Sequence, residues 1–169
     1  MARLAIGIVV GVLLSFISVS LFDMWSTFVL AETISQYNIL KAMSTLIGAN
    51  FEFDIITFFT SGPYTLPNFF QPALLSCIFL GIISGAIAKG LKRGTMASFL
   101  VITISILIWI LISIVSGEDL MALFQGAQLI STVGGILGAL IAGILGGLLG
   151  GLISGPYEES IIDYDLEDF

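Results

Sequence analysis

The feature that most restricts how this chain can fold is a four-residue repeat near its C-terminus, GGILGALIAGILGGLLGGLISG, in which two small residues alternate with two large aliphatic ones. One ladder runs Gly134, Gly138, Ala142, Gly146, Gly150, Ser154, and the adjoining one Gly135, Ala139, Gly143, Gly147, Gly151, Gly155. Small residues at strict i, i+4 spacing let helix backbones approach closely, which is how helices associate where lipid removes the hydrophobic reward for association. A helix over this stretch is roughly 33 Å long, about the thickness of a bilayer's hydrocarbon core. The repeat drifts by about 40° per step against a helix of 3.6 residues per turn. The ladders therefore either follow one neighbour of right-handed twist or meet successive neighbours in turn.

Hydrophobic residues make up 57% of the 169-residue chain and charged residues 10%, with a mean hydropathy of +1.12; a soluble domain carries about 25% charge. Four apolar segments, 4–22, 73–91, 95–115 and 129–153, are each long enough to cross a bilayer as a helix. The expected fold is an all-α polytopic integral membrane protein, one bundle over 1–155 with about four transmembrane helices and a glycine-zipper C-terminal helix. Residues 156–169 form a separate acidic tail. The first segment has the flavour of a signal peptide, with Arg3 ahead of it and Ser18-Val19-Ser20 at its end, but its length favours a retained anchor.

Orientation follows from the five bases. An internal N-terminus puts Arg3, Lys89, Lys92 and Arg93 on the cytoplasmic side and only Lys41 outside, so both termini are expected in the cytoplasm of a cell-membrane protein. Spans two and three form a hairpin through the connection 89–94, whose bases snorkel toward headgroups and set topology, with an anionic-lipid or partner site as the alternative.

Two other spans echo the C-terminal repeat, at Gly7, Gly11 and Ser15 and at Ala73, Cys77, Gly81 and Gly85. The expected helix-packing interface thus comprises Gly7, Gly11, Cys77, Gly81, Gly85, Gly134, Gly138, Ala142, Gly146 and Gly150, and joins the first, second and C-terminal spans. The third span, ITISILIWILISI, is bulky and β-branched on nearly every side and is expected to face lipid or a larger partner. Cys77 reads as a small packing residue.

Residues 23–72 are too long for a simple connection and too apolar for a solvated loop. Residues 24–47 carry apolar positions mostly at helical spacing, as an interfacial helix would, and the aromatic, proline-broken stretch that follows reads as interfacial anchors. Asp23, Glu32, Glu52 and Asp54 are the only candidates here for a divalent-cation site; without ligand-loop spacing, a solvated or hydrogen-bonded structural role is expected instead.

The chain has no histidine and one cysteine. That removes intrachain disulfides, the usual haem, copper, zinc and iron-sulfur ligands, and Ser-His or Cys-His catalysis. No enzyme activity and no cofactor are expected. No acid or base lies deep within a span, which argues against a pump or carrier acting alone. The tail carries six of the twelve acids and no base, so nucleic acid is not an expected partner. Its residues Tyr157, Ile162, Tyr164, Leu166 and Phe169 fit docking on a partner, the alternation at 162–167 matching a strand added to a sheet edge; a solvated tail is the preferred expectation. The leading functional reading is a non-catalytic subunit of a larger membrane complex, with lipids and other membrane subunits, or further copies of itself, as partners. The alternative is a homo-oligomeric pore built around the glycine-rich helix.

Overall fold

A computed structural model describes residues 2–62 and 65–156. Every regular element among them is helical: α1 (Ala2–Leu14), a 3-10 turn Val19–Leu21, α2 (Ser26–Ser35), α3 (Ile39–Gly48), a second 3-10 turn Ala49–Phe51, α4 (Ile55–Ser61), α5 (Leu66–Phe69), α6 (Pro72–Ala88), α7 (Leu91–Ser116), α8 (Leu120–Leu123) and α9 (Gly126–Ile153). Two helices are long and apolar enough to cross a membrane, Leu91–Ser116 and the Gln128–Ile153 part of α9. The apolar helices α1 and α6 are shorter, at 13 and 17 residues.

The first segment, read as one helix over 4–22, divides at Leu14. Beyond it serine competes for backbone carbonyls: Ser15 Oγ donates to Val12 O (2.7 Å), while the Ile17 amide takes the tighter bond to Leu14 O. Such side-chain bonds offer the backbone an alternative to the α-helical ladder. The second segment ends at Ala88, since Lys89 and Gly90 both take positive φ, +54° and +83°. Lys92, Arg93 and Gly94 consequently lie in the first turn of α7 and not in the connection.

The expected interfacial helix over 24–47 is instead two helices. Met24 and Trp25 reverse the chain with φ of 56° and 67°, and Asp23 accepts hydrogen bonds from the Thr27 amide (2.8 Å) and hydroxyl, capping α2. Asn38 restarts the helix, its side chain accepting from the Lys41 amide (3.1 Å). From there α3 packs along α7 and not on the outside of the bundle. Ser44 meets the Ser113 hydroxyl at 2.6 Å, and Gly48 lies so close to the Trp109 indole that a methyl at that position would sit 2.7 Å from Nε1. Ile47, Asn50 and Phe53 are buried. Residues 39–55 therefore enter the bundle as a helix, turn at Ala49–Phe51, and come back out to α4. Phe51 and Phe53, read as interfacial anchors, are core residues for this reason: Phe51 meets the Trp109 ring with centroids 5.6 Å apart, and Phe53 meets Phe58 and Phe69.

The expectation that the third span lies outside is also corrected. α7 packs extensively against α9, α6, α3 and α1, and the main partners of α1 are α6 and α7. Its bulky appearance conceals an inward stripe of Gly94, Ala97, Ser98, Val101, Ile102, Ser105 and Ser113, all buried. Phe99, Leu107, Leu111, Ile114 and Val115 face outward.

Candidate functional site

The small-residue ladders of α9 make two adjoining columns, buried at every step from Gly134/Gly135 to Gly150/Gly151, while Val133, Leu137, Ile141, Leu145 and Leu149 stay exposed. The covering surface changes along the helix, which is how a period of four stays buried despite its drift. At the Gly134 end both columns lie under the returning segment: a methyl at Gly134 would overlap the Asp54 carboxylate, one at Gly135 the Phe51 carbonyl, and one at Gly138 would sit 2.6 Å from the Phe53 carbonyl. Farther along the columns separate. Gly146 and Gly150 are overlain by the Ile78 and Ile82 carbonyls of α6, whereas Gly143 meets Ile102 and Gly147 meets Ser98 and the Gly94 carbonyl of α7. Gly81 and Gly85 of α6 face the same part of α9, opposite Gly143 O and Gly147 O, and Ala142 is buried in the core cluster.

Gly7 and Gly11 face elsewhere: a methyl at Gly7 would sit 2.8 Å from Ser84 O of α6, and one at Gly11 2.5 Å from Val101 Cγ2 of α7. The N-terminal helix thus packs through Gly7 on the second span, one of its expected partners, and through Gly11 on the third. The tail residues Tyr157, Ile162, Tyr164, Leu166 and Phe169 lie outside the described residues.

Two polar places interrupt the apolar bundle; of their residues the sequence had marked out only the carboxylates Glu52 and Asp54, at the second. The first is centred on Asn50, at the inner tip of the entering segment. Its Nδ2 donates to Ser15 O (2.8 Å) and Ile47 O (3.0 Å), and its Oδ1 accepts from Ser18 Oγ (2.7 Å) and Ser76 Oγ (2.9 Å). Both donors and both acceptor sites of the amide are filled. Cys77, buried as a packing residue, donates its thiol to the Asn50 carbonyl at 3.3 Å. One side chain so ties the end of α1, the end of α3 and the start of α6. The available signal was a lone amide in the apolar run Ile47 to Phe51, with serines four or fewer residues from the ends of two neighbouring spans.

The second is a cleft of about 380 Å³ between α3, α7 and α9, whose lining includes Ser44, Glu52, Trp109, Glu118 and Ser131. Glu118 accepts from Ser44 Oγ (3.0 Å), extending the Ser44–Ser113 pair to the cleft mouth. Glu52 lies at the mouth, and partial desolvation, followed by the charge of Asp23, pushes its carboxyl above its ordinary value. Asp54 caps α4 by accepting from the Thr57 amide (2.9 Å) and hydroxyl. Burial alone would raise its carboxyl, but the hydrogen bonds from Thr57, Ser131 and the Ile56 amide bring it below the ordinary value. Among the described residues no group of three or more potential ligands comes together to hold a metal ion.

The Glu52 shift has a testable sign. A raised carboxyl pKa means the folded state disfavours the charge, so stability falls as pH rises from the ordinary 4.5 through the raised value. Glu52→Gln is expected to increase the resistance of the protein to denaturing detergent at pH 7 and to leave it unchanged below about pH 4, where the native side chain is already neutral. A gain of equal size at both pH values would show that the charge is not responsible.

Comparison of the chain with protein-family models, with curated proteins and with solved structures finds no match.

Proposed function

We propose that this chain is a four-span integral membrane protein of the cell membrane, acting as a non-catalytic structural subunit of a larger membrane complex. The observation that carries this reading is the division of labour on α9. Both small-residue columns are occupied within the chain, while the opposite face presents an uninterrupted row of Val, Leu and Ile. Ile6, Val9 and Leu13 of α1, with Leu107, Leu111 and Ile114 of α7, extend the apolar surface. Uncovered apolar area on this scale belongs against lipid or another membrane protein. In this reading α1 crosses together with the turns that follow it, and the 17 residues of α6 are at the short end of what spans a bilayer.

Charge supports the orientation. Arg3 and Lys89 line one concavity with Ser154, and Lys92 and Arg93 line the next, so four bases gather where α1 and α7 begin. Lys41 is at the opposite end of α7, beside Asn38, whose Nδ2 donates to Ser116 O (3.2 Å). The positive-inside rule then places both termini in the cytoplasm and α2, α3, α4 and α8 toward the other side.

A pore formed by self-association of α9 would use its small-residue faces between copies, and those faces are covered by α6, α7 and residues 51–56. Cross-linking and mass spectrometry on native membranes provides the test. One copy of this chain joined to different polypeptides is the expected result; a ring of identical chains, with nothing else attached, would overturn the subunit reading.

A further inference from the structure

We infer that the end of the bundle where α1 and α7 begin holds an anionic phospholipid, with its phosphate among the basic side chains and an acyl chain along α1 and α7. The inference rests on the membrane reading above.

Two concavities carry it, lined by the consecutive residues Arg3 and Leu4 of α1. One, of about 280 Å³, is polar and lies between Arg3, Lys89, Ser154 and Pro156. The other, of about 390 Å³, is lined by Leu4, Lys92, Arg93 and Met96, and is mostly apolar. A phosphate group beside a hydrocarbon chain matches that pairing; a free anion matches only the first half. Met96 is exposed and continues into the outward row of α7, so an acyl chain leaving the second concavity runs onto a surface already facing lipid. α7 starts here with no acidic residue in its first turn and no side-chain cap, so the positive end of its dipole adds to the field of the bases.

Lys89 supplies an independent observation. Its φ of +54° with ψ of 136° is a backbone conformation that glycine adopts easily and lysine does not. The chain holds a lysine there, and that lysine lines the polar concavity together with Arg3. Lys89→Gly therefore separates charge from fold, because it relieves the backbone while removing the cation.

The experiment titrates delipidated full-length protein in neutral detergent with phosphatidylglycerol or phosphatidylcholine and counts retained lipid by native mass spectrometry. Phosphatidylglycerol is expected to bind at least about tenfold more tightly, since each base near a membrane surface adds to the attraction. Lys89→Gly should lose most of that preference with an unchanged or raised unfolding midpoint, and Lys92→Gln should lose part of it with its fold intact. Equal binding of the two lipids, or full preference in Lys89→Gly, would overturn the proposal. So would displacement of the lipid by millimolar inorganic phosphate, which would make this a free-anion site. Binding that appears only after Glu158→Gln and Glu159→Gln would assign the bases to the chain's own acidic tail and also sink the lipid. Failure of the membrane reading is distinguishable: the protein would then be released from membranes by alkaline carbonate, whereas carbonate-resistant protein without lipid preference refutes this proposal alone.

Discussion

Gly146→Leu is expected to unfold the bundle, while Ile106→Leu on α7 leaves it nearly unchanged. Even the first carbon of a side chain at Gly146 would overlap the Ile78 carbonyl, with the Gly81 Cα 3.1 Å away, so the obstruction is backbone on a facing helix and cannot rotate aside. Leucine adds three further carbons. Overpacking in a well-packed core costs about 1–3 kcal/mol when side chains can adjust; here α6 and α9 must separate, and the loss should exceed that range. Ile106 is only partly buried and exchanges one aliphatic side chain for another of equal volume. The readout is unfolding in a titration of mixed micelles with denaturing detergent, followed by circular dichroism. Because the glycine faces are covered within one chain, the defect should appear in the isolated protein as well as in any complex. A Gly146→Leu protein as resistant as wild type would refute the close contact of α6 with α9.

Asn50 is the second position of large expected effect, and its variants should follow an order that volume does not predict. Asn50→Ala removes four hydrogen bonds in a buried place, among them the two its amide donates to the carbonyls of Ser15 and Ile47. Leaving a buried polar group unsatisfied costs about 1–3 kcal/mol, so a loss of roughly 2–4 kcal/mol is expected. Asn50→Asp conserves shape yet replaces the NH2 group and both its donors with an oxygen pointed at those carbonyls, and should be the more damaging change. Tryptophan fluorescence follows the local event, since Trp109 packs against Phe51 next door. Equal stability of the Ala and Asp variants would refute the donor role, and wild-type stability in both would show that residues 39–55 are held by apolar packing alone.

The helical class and the C-terminal helix were legible because a strict period of four has few other physical meanings. The two buried columns at 134–151 follow the written sequence step for step. What the period left open was the identity of the covering surface, and that depends on residues far away in the chain. The Phe51 and Phe53 carbonyls lie over Gly135 and Gly138, a contact between backbone atoms that no side-chain pattern announces. α7 was misread because isoleucine dominates any average, whereas burial is decided by which of its faces carries Gly94, Ser98 and Ser105. Residues 24–47 fitted a single amphipathic helix because Asn38 looks like one polar position in a periodic run; only its bonds to the Lys41 amide and Ser116 O mark a helix start fixed to a neighbour. Asp23 and Asp54 could have been recognised from composition alone as caps, each four or three residues before a threonine whose amide it accepts.

The path of residues 39–55 also bears on how the protein is made. This segment is synthesised before α6, α7 and α9, which supply much of the surface that surrounds it: Ser76 and Cys77, Trp109 and Ser113, Gly134 to Gly138. Its own apolar run is 13 residues, Ile39–Phe51, too short to be inserted as a span. In the membrane reading proposed above it would wait at the bilayer surface and enter only when α9 has been made, so that closure of this segment would be a late, long-range event in biogenesis. A ribosome-bound chain stopped before α9 would present α3 to the insertion machinery unburied, and that interval is when a chaperone or a partner subunit would find it.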